Sequence, residues 1–531
     1  MKIRSQRESH RMIQTPAQEL ALFQIRTATE LSEWTRRLQD RPGDLADIER
    51  LADEHFRCGA GNVVAAILAA VSLASTVVDA VEQVQDNADT SLRHPIKRNL
   101  MIRLLCGLVF EITTLYCAPT RSKHPGYSTE IRRGIYPELA VFGFAKKSSS
   151  ALEERVSRAA ALYPSFEIAQ RELSQQGLNL DTKEIRRITL MCGESLLASR
   201  CDKVRQFLAG TLVSCHELRG KDVVVEGDGG RIRHRENKTQ TSKRPGSHPK
   251  FNAEWREPKL LVIYTVDEHG KKEKASRVWL DGTLQGADHF AELLAATLYE
   301  LGVSEAKSVT FIADGAPCLW DRFDWIVEVL HLERDRVHFI LDFFHASQHL
   351  SLALAELYDD VRERREVYQP LRHELRQSRW EHVLGVLEEL GGQLLCDPTK
   401  RESFDKELRY LRHHGESGHL SYVKFTRRGL PLGSGAVESA IRRVVNLRLK
   451  GNGMFWTPEN AEKMLQIRCQ LLSTEWDTRL QSLRHRRLRS RVLTWRWAAA
   501  DHSLAARNRN PETTRQTTKC RDSSCQTKGN A

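Results

Sequence analysis

Asp228 and Asp314 stand in the same local setting. Each closes an apolar, β-branched run, "DVVVEGD" and "SVTFIAD", and each is followed by glycine. A carboxylate at the C-terminal end of a strand sits on a rigid platform, at the edge where α/β sheets place their sites. The glycine lets a ligand or a second backbone come close. One Asp-Gly is more simply a turn; two of them, after successive buried-type strands and with a further acid on a later helix, point to a site. Carboxylates that converge without cysteine or histidine form a hard-oxygen site suited to Mg²⁺ or Mn²⁺ rather than zinc. Phosphoryl chemistry on nucleic acid uses such a site with two ions about 3.5–4 Å apart.

The further acid is Glu438, in "LPLGSGAVESAIRRVVNLRLKGNGMFW". It follows a Gly-Ser-Gly turn and is surrounded by Arg442, Arg443, Arg448 and Lys450. The plain reading is a first-turn acid that favours the helix dipole and pairs with Arg442 at i,i+4, worth ~0.3–0.5 kcal/mol. It completes no capping box, because Val437 stands three residues after Ser434. The other reading makes it the third carboxylate, with the surrounding cations meeting phosphates. Glu226, two residues before Asp228, shares its strand face and is a weaker candidate neighbour.

To position these acids, the chain offers an ordered run of elements. Three strands ("DVVVEGDGG", "LLVIYTVD", "SRVWLDG") are followed by a helix over about 287–301, the strand ending at Asp314, a helix over about 319–330 and the strand "VHFILD". That is the element order of a ribonuclease H-like α/β core, and no glycine-rich nucleotide loop accompanies it. The core is expected at 221–345 and 431–472, split by an all-helical insertion at 346–430. Upstream, 1–100 reads as mainly helical, 101–150 as an irregular connector with a few strands and 151–220 as helical. A basic tail at 473–531 is expected to be partly disordered, with an Arg-rich arm from Arg484. Between Ser165 and Thr189 two helices flank Gly177, and the second places Lys183, Arg186 and Arg187 on one side. This fits a helix-turn-helix reader of DNA as well as an ordinary hairpin with a solvated face.

The chain has 531 residues, is 40% hydrophobic and carries a formal net charge of +12, which favours a polyanionic partner. Eleven cysteines without a C-x-x-C pair argue for reduced thiols in a cytoplasm. The uncharged stretch Cys58–Val78 is only weakly hydrophobic and reads as a buried or interface helix rather than a membrane span. The loop expected between the first two strands, after Asp228, carries Arg231, Arg233, Arg235, Lys238, Lys243 and Arg244, either solvated charge or a bed for phosphates. Trp456 fits core packing or stacking on a flipped base.

The segments "VEGDGGRI", "FIADGAPCLW", "LDFFHASQHL" and "LPLGSGAVESAIRRVVNLRLKGNGMFW" resemble those of the DDE transposases of bacterial insertion sequences, in particular the ISKra-type group. The resemblance covers about Arg219–Leu472. It implies Asp228, Asp314 and Glu438 as a catalytic, metal-binding triad, with Asp342 and His345 of "DFFH" in support. It further implies two Mg²⁺ or Mn²⁺ ions, double-stranded DNA (element ends and target) as the partner, a homo-oligomeric synaptic complex at the bacterial nucleoid, and neither membrane nor small-molecule substrate. Lys183, Arg186, Arg187, Arg231, Arg233, Arg442, Arg443, Arg448 and Lys450 are the candidate DNA contacts. Two alternatives stay open: a nuclease without strand transfer, using Asp342 in place of Glu438, and a decayed DNA-binding regulator.

Overall fold

The chain begins with β1 (Lys2–Ser5) and β2 (Arg11–Met12), then α1 (Pro16–Asp40), α2 (Leu45–Val71), α3 (Ser75–Asp86), β3 (Ile96–Arg103) and β4 (Val109–Tyr116). The computed structural model describes residues 1–86, 95–118, 134–237, 251–274, 276–394, 397–473 and 476–489. The four strands form an antiparallel sheet in the order β2-β1-β4-β3. Alternation along β3 and β4 buries Leu100, Ile102, Phe110 and Ile112, which share a core with Ile3, Ala65 and Ala66. The expected boundary at 100 therefore falls inside β3, and the expected connector supplies half of a sheet. The apolar stretch is divided between α2 and α3, which are bent by 76°; among the described residues no single helix is long and apolar enough to cross a membrane.

Four helices follow: α4 (Pro137–Val141), α5 (Ser150–Leu162), α6 (Phe166–Gln175) and α7 (Thr182–Leu208). Ser149, Ser165 and Asp181 cap α5, α6 and α7 through their side chains. Gly177, with φ +76°, makes the turn between α6 and α7. The second helix of this hairpin is 27 residues long and buries Ile185, Ile188, Cys192 and Leu196.

The central sheet holds β5 (Asp222–Gly229), β8 (Lys259–Val266), β9 (Trp279–Thr283), β10 (Ser308–Ala313) and β11 (Val337–Leu341). Its order is β11-β10-β5-β8-β9. β5, β10 and β11 run parallel, while β8 and β9 are antiparallel additions. Between β5 and β8 the charged segment forms a hairpin, β6 (Ile232–Asn237) and β7 (Phe251–Arg256), where a loop was expected. Lys238, Lys243 and Arg244 lie outside the described residues. The crossovers are α8 (Ala287–Leu301) and α9 (Pro317–Val329). A Cβ at Gly227 would meet Phe290 of α8 and Phe323 of α9, so that face of β5 packs on them. By the two-residue period of a strand, Glu226 and Asp228 point to the other face.

After β11 the chain turns helical: α10 (Phe343–Leu357), α11 (Val361–Arg376), α12 (Trp380–Leu394), α13 (Pro398–Glu416) and α14 (Tyr422–Arg427). Their apolar faces, including Leu350, Leu375, Phe404 and Leu411, belong to the same core as the sheet. α15 (Gly435–Ile441) returns to the sheet and continues into a π-helical turn at Arg442–Asn446; α16 (Pro458–Leu472) and α17 (Trp476–Arg489) follow. The start of the expected tail is thus a helix, held by buried Trp476, Leu480 and Leu483 at i, i+4 and i+7. The first residues of the Arg-rich arm, Arg484–Arg489, continue this helix, and the rest of the tail lies outside the described residues.

Arg200 of α7 ties this arrangement together. It is buried and donates to Gly282 O (2.7 Å) and Gln466 Oε1 (2.9 Å), and it pairs with Glu462 and with Asp281 (3.4 Å). Glu462 in turn accepts from Thr283 Oγ1 (2.8 Å) and Leu284 N (2.7 Å).

Candidate active site

The strand register brings the aspartates into one row. Gly227 pairs with Ala313 and Ala313 with Leu341. Asp228, Asp314 and Asp342 are the next residues on these three adjacent parallel strands. Neighbouring strands lie roughly 4.8 Å apart, so the three carboxylates emerge side by side from one sheet edge. α15 packs across β5 and β8 and brings Glu438 to the same place. A carboxylate oxygen of Glu438, one of Asp342 and a ring nitrogen of His345 all lie within 4.8 Å of one another.

The hydrogen bonds separate these acids into two kinds. A carboxylate offers about four lone-pair sites. Asp342 is fully buried and fills all of them: Oδ1 accepts from Phe344 N (2.6 Å) and His345 N (3.3 Å), and Oδ2 from Ser434 N (2.6 Å) and the Ser434 hydroxyl. Burial opposes its charge, yet the His345 ring, the Ser434 hydroxyl and the N–H groups of Ser434 and Phe344 hold its pKa down at about 2. Glu226, also fully buried, accepts from Tyr264 Oη (2.6 Å) and Val437 N (2.7 Å). Burial, with the Asp342 charge nearby, pushes its carboxyl up to about 7 against those donors.

The remaining acids keep oxygens open. Among the described residues, Asp228 accepts only from its neighbour Gly229 N (2.6 Å), and Asp314 only from Ala316 N (3.0 Å), each on Oδ1. Glu438 is exposed and accepts no hydrogen bond from a described residue; no ion pair joins it to Arg442. Burial, then the Asp314 and Glu438 charges, push the Asp228 carboxyl up to about 6, with Gly229 N–H and His345 acting against them. The Asp342 side chain raises the His345 pKa against burial, and Asp314 and Asp228 add to the effect. Its Nδ1 lies 3.6 Å from Asp342 Oδ2, a charge contact too long for a hydrogen bond. Asp228, Asp314 and Glu438 thus keep oxygens open to a hard cation, although the ligand atoms that gather within 4.8 Å of one another among the described residues are those of Glu438, Asp342 and His345.

Two buried acids thus fix the start of α15. Ser434 occupies its N-cap but makes no capping bond there, since its hydroxyl is turned to Asp342. The Val437 N–H that a capping serine hydroxyl would take goes to Glu226, with a longer bond to Ser434 O (3.1 Å). The sequence offers only a faint signal for this clamp, a polar residue inside the apolar run "DVVVEGD". Tyr410 adds a link from the helical insertion, donating to the Asp314 carbonyl (2.7 Å).

The candidate DNA contacts divide by exposure. Arg442, Arg443 and Lys450 are exposed around Glu438, and Arg231 and Arg233 are exposed just beyond Asp228. Lys183 and Arg186 are exposed on the first turns of α7. Arg187 is half-buried, with Glu184 accepting from its Nε (2.7 Å) and Nη2 (2.6 Å). Arg448 is a correction: it is buried, its guanidinium stands 4.7 Å from the Phe166 ring centre and 5.3 Å from that of Trp456, and its Nε donates to Ala160 O (2.8 Å). A phosphate cannot reach it. Burial, followed by the Arg468 charge, lowers its pKa to about 10. Trp456 is packed as well, with Nε1 donating to Leu449 O (3.1 Å).

Neither a family model nor a curated protein matches the chain. Among solved structures, a chain titled "Drosophila P element transposase strand transfer complex" is similar at 11% identity and a TM-score of 0.32, covering 62% of this chain and 92% of that one. A superposition this loose assigns no role to individual residues.

Proposed function

We propose that this protein is a transposase of the DDE type, related to the ISKra group, which cleaves DNA at the ends of its own element and joins them to target DNA. The observation that carries the reading is the division among the acids. The open oxygens belong to Asp228, Asp314 and Glu438, while Asp342 is saturated and serves to hold α15. The sheet order β11-β10-β5-β8-β9, with its directions, supports a ribonuclease H-like core. The chain's expected partner is double-stranded DNA bound by more than one copy, in the cytoplasm at the nucleoid.

Asp228, Asp314 and Glu438 would hold one or two Mg²⁺ or Mn²⁺ ions, which when bound supply activation of the attacking oxygen and stabilisation of the leaving one. The other residues have roles of their own. Arg442, Arg443, Arg231 and Lys450 surround the acids with cations that can fix the DNA backbone. His345, carrying a raised proton affinity, offsets part of the carboxylate charge. Saturation of Asp342 weighs against the nuclease alternative in which it replaces Glu438.

The test is cleavage of DNA carrying the inverted repeats expected to flank the reading frame, with Mg²⁺ or Mn²⁺. Asp228→Asn, Asp314→Asn and Glu438→Gln should lose at least about 100-fold in rate while still binding the ends. Normal cleavage by Glu438→Gln, with loss in Asp342→Asn, would move the third carboxylate to the last strand. Binding without cleavage by the unaltered protein would favour the regulator.

A further inference from the structure

We infer that the outer face of the β6–β7 hairpin is a stacking platform for unpaired nucleotides of the DNA, centred on Trp255. The inference rests on the DNA-processing reading but on different residues. Cross-strand register pairs Arg233 with Trp255 and Asn237 with Phe251. Directly paired residues project to one face of a ribbon. The opposite face carries Ile232 and His234, both buried, so the Arg233–Trp255 face is the outward one.

What that face presents is unusual for a solvated ribbon. Trp255 is 52% exposed and Phe251 38%. The Arg233 guanidinium stands 5.0 Å from the Trp255 ring centre and 5.8 Å from that of Phe455, and Lys450 Nζ is 6.0 Å from Trp255. Phe251 lies 5.1 Å from Phe455. The acids of the hairpin, Glu236 and Glu254, are turned away and pair with Arg256 at 3.6 and 3.4 Å. Among the described residues, Arg231, Arg233 and Lys450 have no carboxylate partner. Exposed rings interleaved with uncompensated cations suit bases that stack and phosphates that need counter-charge. A nucleotide strand supplies both the planar rings and the phosphate charges in one regular spacing.

The platform is held firmly and close to the acids. Trp456 N donates to Arg233 O (3.0 Å) and Arg235 N to Trp456 O (2.9 Å), clamping β6 to the packed segment that carries Phe455. Arg233 is five residues beyond Asp228, so their Cα atoms are at most roughly 17 Å apart. A strand opened beside the acid row can reach Trp255 within a few nucleotides.

The test compares binding of a fluorescein-labelled 20-nucleotide oligo-dT with a blunt duplex of the same length, by anisotropy over a salt series. Trp255→Ala should weaken oligo-dT binding roughly tenfold or more and duplex binding less than about twofold, while Trp255→Phe retains most of the affinity. Arg233→Gln should lower the salt slope for oligo-dT by about 0.7. Unchanged oligo-dT binding by Trp255→Ala, or an equal loss for single strand and duplex, would overturn the inference. Its fate is separable from that of the function: selective loss in Trp255→Ala without metal-dependent cleavage by the parent keeps the platform and removes the catalytic reading. Metal-dependent cleavage with no Trp255 effect does the reverse.

Discussion

Replacing Glu226 tests whether the α15 clamp, and not only the exposed acids, sets the site. Glu226→Ala leaves the Tyr264 hydroxyl buried without its acceptor and the Val437 N–H with only the longer bond to Ser434 O (3.1 Å). One orphaned donor costs about 1–3 kcal/mol and the weakened Val437 bond adds about 1, so a loss of about 2–4 kcal/mol is expected. Glu226→Gln keeps one oxygen and should cost less, about 1–3 kcal/mol. The two also differ in pH dependence. Burial raises the carboxyl from 4.5 to about 7, so between those values the folded protein keeps a proton that the unfolded chain releases. The wild type therefore loses stability as pH rises from about 4.5 to 7, by about 3 kcal/mol from this group, whereas the amide does not titrate. Urea unfolding at pH 5 and pH 8 should show the deficit of Glu226→Gln shrinking at the higher pH. Because Val437 precedes Glu438, cleavage by both variants should fall by about 100-fold under conditions where they remain folded. A deficit that does not change with pH, or full cleavage by Glu226→Ala, would refute the clamp.

Other outcomes follow from single features. Arg448→Ala should cost about 3–5 kcal/mol in urea unfolding and leave the salt dependence of DNA binding unchanged, while Arg442→Ala should lower that slope by about 1 and leave stability intact. Glu462→Ala leaves the buried Arg200 charge with only the longer Asp281 contact (3.4 Å) among its two carboxylate partners and should cost about 3–5 kcal/mol in the same assay. His414 and His419, whose Nδ1 atoms are 2.9 Å apart, are lowered by burial to about 3 and about 4. The unfolded chain takes up protons below pH 6.5 that the folded one refuses, so stability should fall from pH 6.5 toward 4, and less steeply in His419→Phe.

Much of the centre was legible because its signals are local. The apolar runs of β5, β10 and β11 end at aspartate, and each aspartate lies one residue past a paired register position. That depends only on strand length and on equal alignment of the strand ends. What could not be read involves distant partners. β1 pairs with β4, more than a hundred residues later, and neither short strand carries an apolar run long enough to announce it. The β6–β7 hairpin is charged on both faces apart from Ile232, His234 and the aromatic residues of β7, so its alternation was hidden. Arg448 looked like its exposed neighbours Arg442 and Lys450. It falls in place only when Phe166 of α6 is known to close over it.

The same distinction explains why the acids divide as they do. A row of carboxylates on adjacent strands is unfavourable: two charges about 5 Å apart at an effective dielectric of about 20 repel by roughly 3 kcal/mol. Asp342 escapes this cost by accepting four donors and facing His345. It thereby becomes part of the frame that fixes Ser434. Glu226 escapes it by holding its proton more tightly and capping α15 from below. Asp228 and Asp314 have no such relief, and Glu438 is delivered to them by a helix whose start both buried acids secure. The repulsion left at the open end is a cost to folding that a bound cation would remove, which is the physical basis on which the proposed metal-dependent reading rests.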